Sequence, residues 1–311
     1  MTHGAHEHEN DPRNAEVLVD VNGELVPKPQ ATVSVLDSGF ILGDGIWEGM
    51  RLHEGSVAFL DRHLKRLWDA SRAIDLDLGM TKDEMTARIA RVLNANGMHD
   101  HVHLRLMVSR GVKLTPYQDP RATVTGPTVV ILPEYKDPSP EVYTRGIKLF
   151  TVHVRRGRPD VQDPRLNTHS KHNCIQACIQ AAKAGADEGL MLDPQGFVAT
   201  CNSTHFFIVR GGEVWTSTGN YCLDGITRGM VLEVARDAGI PVRECNFSLS
   251  DVYGAEEAFV TGTFAGLVSV GDIDGRLFEG PWPGPMVKRL RELYLTRVAA
   301  EPKLPGLTTS A

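Results

Sequence analysis

The most informative stretch of the chain is Leu166-Asn167-Thr168-His169-Ser170-Lys171-His172-Asn173, which runs into Cys174-Ile175-Gln176-Ala177-Cys178-Ile179-Gln180-Ala181-Ala182. The second segment, rich in small residues, predicts a helix. After it, residues 189–192 and 197–200 predict two strands joined by the turn Asp193-Pro194-Gln195-Gly196. Lys171 therefore stands just ahead of a helix and upstream of a β-rich region.

Two further turns in this half of the chain have a glycine next to a threonine. Leu223-Asp224-Gly225-Ile226-Thr227-Arg228 predicts the start of a helix that Gly239 ends, and Gly262-Thr263-Phe264-Ala265-Gly266 follows a predicted strand at residues 257–261. Backbone N–H groups at a helix start bind phosphate, with help from the helix dipole. The first turn is thus a candidate phosphate site.

In order and spacing these segments resemble the large domain of the fold-type IV pyridoxal-phosphate enzymes, which include branched-chain aminotransferases, D-amino-acid aminotransferases and aminodeoxychorismate lyases. The shared phrases are Ala184-Gly185-Ala186-Asp187-Glu188, Leu192-Asp193-Pro194-Gln195-Gly196, Gly225-Ile226-Thr227-Arg228 and Thr261-Gly262-Thr263. The resemblance covers roughly residues 17 to 299. It places Lys171 where the family carries its Schiff-base lysine, so it implies pyridoxal 5'-phosphate as the cofactor.

The first half of the chain resembles the small domain of the same family. Residues 37–51 match its glycine-rich turn, which feeds a strand with an aromatic followed by Glu-Gly-x-Arg. The resemblance implies that Trp47 lines the substrate pocket, with Phe40 and Phe264 as further apolar walls. His63-Leu64-Lys65-Arg66-Leu67 matches a pattern whose arginine contacts the cofactor phosphate, a task that suits the forked guanidinium.

The resemblance also assigns roles to the two turns and to one strand. It implies that Ile226, Thr227 and Thr263 contact the phosphate and that the backbone at Phe264 and Ala265 faces the substrate carboxylate. The family binds that carboxylate with arginines of the small domain. Arg105 and Arg110 are the candidates here, and we assign this role to Arg105.

The chain departs from the family at two positions. Thr200 stands where most members have the carboxylate that keeps the cofactor ring nitrogen protonated. A hydroxyl can hydrogen-bond a neutral nitrogen but stabilises a pyridinium less well, so we expect a weaker electron sink. Asn173-Cys174 lies near an Asn-Tyr pair of many branched-chain enzymes, so the tyrosine's contact with the cofactor is expected to be missing.

Composition agrees with an enzyme of this kind and excludes other classes. Hydrophobic residues make up 41% of the 311 residues and charged residues 23%, as in ordinary globular proteins. The net charge of −6 argues against nucleic-acid binding, and no apolar run is long enough to span a bilayer. Without an export signal, and with five cysteines expected to be free thiols, the sequence predicts a cytoplasmic protein. Cys174 and Cys178 lack a second ligand pair, so we expect no metal site.

The predicted fold class is α+β, with two domains of the D-amino-acid-aminotransferase type. We expect a flexible tail at residues 1–15, a small N-terminal domain at 16–132, a linker at 133–145, a larger β-rich cofactor domain at 146–300 and a tail at 301–311. The resemblance implies a homodimer or a larger homo-oligomer.

The sequence therefore predicts a transaminase that moves the amino group of an apolar amino acid to a 2-oxo acid through Lys171. One alternative is an aminodeoxychorismate-type lyase, or a transaminase for D-amino acids or amines. Another is a cofactor-free relative that only binds a ligand, an alternative that the threonine at position 200 keeps open.

Overall fold

The computed structural model describes residues 4–6 and 9–308, and the chain divides into two compact units. The larger unit comprises the described part of Met1–Glu9 together with Pro138–Leu166 and Lys171–Arg297. The smaller unit comprises Asn10–Asp137, Asn167–Ser170 and the described part of Val298–Ala311. The remaining residues of the predicted tails, 1–3, 7–8 and 309–311, lie outside the described residues.

The smaller unit is built on a six-stranded sheet in the order β2-β1-β6-β5-β3-β4. Its strands are β1 (Leu18–Val21), β2 (Glu24–Pro27), β3 (Gly45–His53), β4 (Ser56–Val57), β5 (Val102–Ser109) and β6 (Thr128–Tyr135). Its helices are α1 (Ser38–Leu42), α2 (Leu60–Ala73) and α3 (Lys82–Ala95).

Local sequence signals account for these elements. Strand β5 alternates between buried and half-buried residues, and its buried members Val102, Leu104, Leu106 and Val108 form one apolar face. Asn22-Gly23 is a sequence signal for a two-residue hairpin turn, and these residues have φ of 53° and 93°, the left-handed values that such a turn needs. Thr81-Lys82-Asp83-Glu84 has the sequence pattern of a capping box, and Thr81 and Glu84 exchange the expected hydrogen bonds at the start of α3.

The larger unit is built on a nine-stranded sheet in the order β12-β11-β10-β13-β14-β7-β8-β9, with β15 beside β14. Its strands are β7 (Ile147–Thr151), β8 (Glu188–Leu192), β9 (Val198–Cys201), β10 (His205–Arg210), β11 (Glu213–Thr216), β12 (Val242–Glu244), β13 (Glu257–Gly262), β14 (Gly266–Ile273) and β15 (Arg276–Leu277). Its helices are α4 (His172–Lys183), α5 (Ile226–Asp237), α6 (Leu249–Tyr253) and α7 (Pro285–Ala299).

Strands β8, β9 and β10 are almost wholly buried, which explains why they read as continuous apolar runs in the sequence. Helix α4 packs against β8, and α5 packs against β13. No helix in the described part of the chain has the length and apolarity to cross a membrane.

The ends of the chain pack more closely than the predicted tails imply. Ala5 is buried in the core of the larger unit. In the smaller unit Leu304 is buried and its N–H donates to the Gly55 carbonyl oxygen at 2.9 Å. The boundary between the units falls after Asp137, within the predicted linker, although β6 extends into that linker as far as Tyr135.

A buried carboxylate ties β3 to α2. Glu48, 1% exposed, accepts hydrogen bonds from Arg66 Nε at 2.8 Å and Nη2 at 2.6 Å, and its Oε2 lies 2.7 Å from His63 Nδ1. Burial acts to raise the pKa of Glu48, but Arg66 and His63 outweigh it and hold the pKa below its usual value. Because the folded pKa is the lower one, this stabilisation is present above the unfolded pKa and is lost as the pH falls.

We therefore expect Glu48→Gln to lower the free energy of unfolding by about 3 kcal/mol near neutral pH, since it removes the buried charge that pairs with Arg66 and His63. The stability of the variant should also fall less steeply than that of the wild type below about pH 4.5. Denaturant unfolding at several pH values measures both effects. Asp69→Asn removes an exposed partner of Lys65 on the same helix and should change stability by less than about 0.5 kcal/mol. Equal effects of the two substitutions would refute this account of Glu48.

Candidate active site

Lys171 lies at a junction of the chain, where the backbone leaves the smaller unit after Ser170 and enters the larger one. It is half-buried, and its carbonyl oxygen accepts the Ile175 N–H at 2.9 Å, which begins α4. The sequence has no other lysine between Lys148 and Lys183. Any lysine chemistry in this part of the chain must therefore use Lys171.

Three of the four residues ahead of Lys171 are hydrogen-bonded to β3 of the smaller unit. The Trp47 N–H donates to Asn167 O at 2.9 Å, and Asn167 Nδ2 donates back to Trp47 O at 2.7 Å. Trp47 Nε1 donates to Thr168 O at 3.1 Å, and the His169 N–H donates to Gly45 O at 2.9 Å. This ladder fixes the backbone that leads into Lys171 and also orients the Trp47 indole.

The sequence predicts a phosphate site at the start of α5, and that role stays a prediction. The N-cap of this helix is Gly225, which offers no side-chain cap, so the helix begins with N–H groups available to an anion. A Cβ at position 225 would lie 2.2 Å from Cε1 of His205, so only glycine fits there. His205 Nε2 in turn lies 2.8 Å from the Leu223 carbonyl oxygen, which holds the imidazole beneath the turn.

The second turn follows β13, the strand against which α5 packs. Thr227 is buried and Thr263 is half-buried, so both sit where a phosphate would be partly shielded from water. Phe264 and Ala265 belong to the buried core. The Phe264 ring stacks on His6 at 6.0 Å, and Ala265 O accepts a hydrogen bond from the Tyr143 hydroxyl at 3.0 Å. The predicted role of Phe264 and Ala265 toward a substrate stays a prediction.

Thr200 is buried on β9 and its hydroxyl is already engaged. Its Oγ1 donates to Thr204 O at 2.7 Å, and Thr204 Oγ1 donates to Glu188 Oε2 at 2.7 Å. The Cγ2 atom of Thr204 lies within 3.4 Å of the Cβ position of Gly262, the residue before Thr263. Thr200 and Thr263 therefore belong to the same region of the larger unit.

The two candidate arginines of the smaller unit differ in their hydrogen-bond partners. Arg105 lies 3.9 Å from the centre of the Trp47 ring, its diagonal neighbour across β3 and β5. Burial lowers the pKa of its guanidinium, and nothing in residues 4–6 and 9–308 accepts a hydrogen bond from it. Arg110, in contrast, binds Asp44 at 2.7 Å and the carbonyl oxygens of Ile74 and Asp75. Of these two arginines, only Arg105 lacks a hydrogen-bond acceptor among the described residues, and its role toward a substrate stays a prediction.

Two other predicted residues of the smaller unit have contacts of their own. Arg66 pairs with Glu48, which orients its guanidinium, and its contact with a phosphate stays a prediction. Phe40 is 73% exposed and lines an apolar groove of about 410 Å³ with Met107, Val130 and Leu132. Trp47 and Arg105 do not line this groove.

Sequence reasoning missed Asn167, His205, Glu188 and Thr204. Glu188 stood inside a quoted motif, but no spacing rule indicates that a carboxylate is buried beneath a threonine 16 residues later in the chain. The close fit of His205 against Gly225 likewise involves residues distant in sequence. Among the residues that the structure describes, no group of three or more His, Cys, Asp or Glu side chains is placed to hold a metal ion.

Comparison with known proteins gives the same family as the sequence motifs. The family model described as amino-transferase class IV matches residues 45–273. A branched-chain-amino-acid aminotransferase-like protein 2 of Arabidopsis thaliana is 38% identical over 285 residues, which are 91% of this chain and 50% of that protein. A putative branched-chain-amino-acid aminotransferase of Methanocaldococcus jannaschii is 37% identical over 276 residues, 88% of this chain and 94% of that one. The chain thus spans about half the length of the Arabidopsis protein.

Among solved structures, the T.th. branched-chain amino acid aminotransferase with pyridoxamine 5'-phosphate superposes with a TM-score of 0.84. That protein is 28% identical, and the match covers 94% of this chain and 98% of the other. The two-domain α+β fold expected from the sequence is confirmed by this match. Since the family model covers most of the chain and relatives above 30% identity align over nine-tenths of it, the protein belongs to the class IV aminotransferase family.

Proposed function

We propose that this protein is a pyridoxal-phosphate-dependent transaminase that moves an amino group from an apolar, branched-chain-like amino acid to a 2-oxo acid. The observation that carries the proposal is the match to class IV aminotransferases across both units. Lys171 and the helix start at Gly225 are the two features of this chain that suit the cofactor. When bound, the cofactor would supply an electrophilic aldehyde and a ring that accepts electron density.

The residues of the larger unit fit such a cofactor. The N–H groups at Ile226 and Thr227 and the hydroxyl of Thr263 suit a phosphate dianion, which the α5 dipole also favours. Lys171 is half-buried, and its amine is the nucleophile that we propose for the cofactor aldehyde. It would form the Schiff base and then move the α-proton of the substrate.

The smaller unit offers the chemistry of a carboxylate receptor. The Arg105 guanidinium is partly desolvated by burial and lies beside an aromatic ring, but no residue in the described part of the chain accepts a hydrogen bond from it. An amino-acid carboxylate would supply the missing acceptor through two parallel hydrogen bonds. The Trp47 indole beside it is apolar, which favours a hydrocarbon side chain on the substrate.

A second candidate is a relative that binds a ligand without doing chemistry, and Thr200 is the observation that favours it. An aminodeoxychorismate-type lyase, or a transaminase of D-amino acids or amines, would use the same cofactor residues. Product identity separates these: a transaminase yields a 2-oxo acid together with an aminated acceptor, whereas the lyase yields pyruvate without one.

We also propose that two copies of the chain associate and that the protein works in the cytoplasm, where its five free cysteines would remain reduced. The smaller unit exposes apolar side chains in two segments, residues 33–42 and 114–124, and Val33 and Phe40 of the first segment line the apolar groove. Apolar surface of this extent favours a protein partner. A second copy is the proposed occupant because the family assembles as dimers.

Lys171→Ala should abolish a visible absorption band that wild-type protein develops with pyridoxal phosphate, since it removes the amine proposed to react with the aldehyde. Borohydride should attach the cofactor covalently to the wild type, and peptide mass spectrometry should find it on Lys171. Lys183→Ala, at the far end of α4, is the control and should keep the band. Identical spectra for wild type and Lys171→Ala would reject the transaminase and favour the ligand-binding candidate.

Arg105→Lys should raise the KM for the amino acid by about 10- to 100-fold, because an ammonium keeps the charge but loses the bidentate fork, and charge-assisted bonds contribute about 1.5–3 kcal/mol. Steady-state kinetics with several amino acids measures the change. Arg72→Ala removes an exposed arginine of α2 and should leave KM unaltered. An unchanged KM in Arg105→Lys would exclude Arg105 as the carboxylate receptor.

Phe40→Asp should shift the mass of the particle from dimer to monomer in sedimentation, because a charge would be buried in the proposed interface. Leu277→Asp changes a residue of the larger unit that is equally exposed, at 75% against 73%, and should leave the mass unchanged. A dimer that survives Phe40→Asp would place the interface elsewhere.

A further inference from the structure

The larger unit contains a buried carboxylate that has no cation to balance it. Glu188 is 2% exposed at the start of β8. Across residues 4–6 and 9–308 no arginine, lysine or histidine pairs with it, and its Oε1 has no hydrogen-bond partner. A buried carboxylate without a counter-charge is costly in its ionised form.

Hydrogen bonds link this carboxylate to Thr200, the residue that replaces the family's carboxylate. Thr204 Oγ1 donates to Glu188 Oε2, and Thr200 Oγ1 donates to Thr204 O, both at 2.7 Å. All three residues are at least nine-tenths buried, so water does not compete for these bonds. The route runs from Glu188 to Thr200 through a single intervening residue.

The direction of these bonds determines what Thr200 can bind. A hydroxyl has one proton, and that of Thr200 is given to the Thr204 carbonyl oxygen. Only lone pairs of Oγ1 remain for a ligand. Thr200 therefore suits a group that donates a hydrogen bond, such as a protonated ring nitrogen, and is poorly matched to an unprotonated nitrogen, which has no proton to give.

The state of Glu188 adds a second argument. Desolvation raises the pKa of Glu188 to about 7, against the lowering effect of hydrogen bonds from Thr204 and Ser203. A positive charge placed at Thr200 would favour the ionised carboxylate. Binding linkage is reciprocal, so the ionised carboxylate would favour the positive charge by the same free energy.

We propose that Glu188, acting through Thr204 and Thr200, is the positioning residue that keeps the cofactor ring nitrogen protonated in this protein. The inference rests on the proposed function, and specifically on Thr200 lying at the ring nitrogen. It revises the expectation from sequence that Thr200 meets a neutral nitrogen: the acidic group is retained but stands behind two threonines.

The first test is the protonation of the ring nitrogen in the loaded protein, followed by NMR of nitrogen-15-labelled cofactor as a function of pH. In the wild type the nitrogen should be protonated at pH 7. Glu188→Gln keeps the shape and removes the charge, and should lower the pKa of the ring nitrogen by about one unit or more, the size expected for a nearby opposite charge. Thr204→Val should act in the same direction by cutting the route.

The matched control is Thr261→Val. Thr261 is a fully buried threonine on strand β13 of the same sheet, and its hydroxyl has no partner among the described residues. The substitution removes the same atoms from the same core but lies off the route, so the pKa of the ring nitrogen should not change. A purely structural role of Glu188 and Thr204 would make all three variants alike.

The second readout is Glu188 itself, followed by infrared spectroscopy of protein with isotope-labelled glutamate. The carboxylic acid band that Glu188→Gln lacks should be present at pH 7 in the protein without cofactor and should weaken when cofactor binds. Since the folded pKa lies above the usual 4.5, ionisation of Glu188 costs stability as the pH rises through about 7. Glu188→Gln should therefore fold, and without cofactor it should melt at a higher temperature than wild type at pH 8.

Two failures can be told apart. If the Lys171-dependent visible band forms but the ring nitrogen is unprotonated, or titrates identically in wild type and Glu188→Gln, the role of Glu188 is refuted and the transaminase stands. If no such band forms in the wild type, the proposed function fails and this inference is overturned with it.

Discussion

The close approach of the His205 imidazole to Gly225 determines where α5, the proposed phosphate-binding helix, begins. No side chain fits at position 225, so the backbone passes directly over β10 before α5 begins. His205 is held in place by its contact with Leu223 O, and α5 is held by packing on β13. This fit fixes the position of a helix start that has no side-chain cap. An anion site of this kind depends on backbone position more than on any one side chain, which explains why the motif is a short glycine turn.

The same principle governs the approach to Lys171. Its own side chain is a flexible amine, but three of the four residues before it are bonded to β3, and those after it form the first turn of α4. A lysine positioned from both ends can carry directed chemistry on a side chain that has no rigidity of its own. The hydrogen bonds that anchor Asn167 and Thr168 also orient the Trp47 indole. The position of the segment before the lysine and the orientation of this aromatic ring therefore depend on the same contacts.

Charge is arranged differently in the two units. In the smaller unit Glu48 is buried with Arg66 and His63, so its charge is balanced within the fold. In the larger unit Glu188 is buried with hydroxyl donors and no cation among the described residues. The first arrangement stabilises the fold by itself. The second leaves the carboxylate without a counter-charge among those residues, and we propose that the cofactor ring nitrogen supplies it.

The sequence by itself determined the family, the two-domain α+β fold and most elements, because hairpin turns, capping boxes and alternating apolar residues are local signals. The helix at Leu60–Ala73, the Asn22-Gly23 hairpin and the capped helix after Thr81 needed no distant contact to be predicted. The tertiary structure alone decided which arginine lacks an acceptor, since Arg105 and Arg110 differ only in what the fold brings to them. It also decided what Thr200 contacts. In the sequence, Thr200 is simply the loss of a carboxylate. In the structure, its hydroxyl is linked through Thr204 to Glu188, because strands β8 and β9 bring together residues that are distant in the sequence.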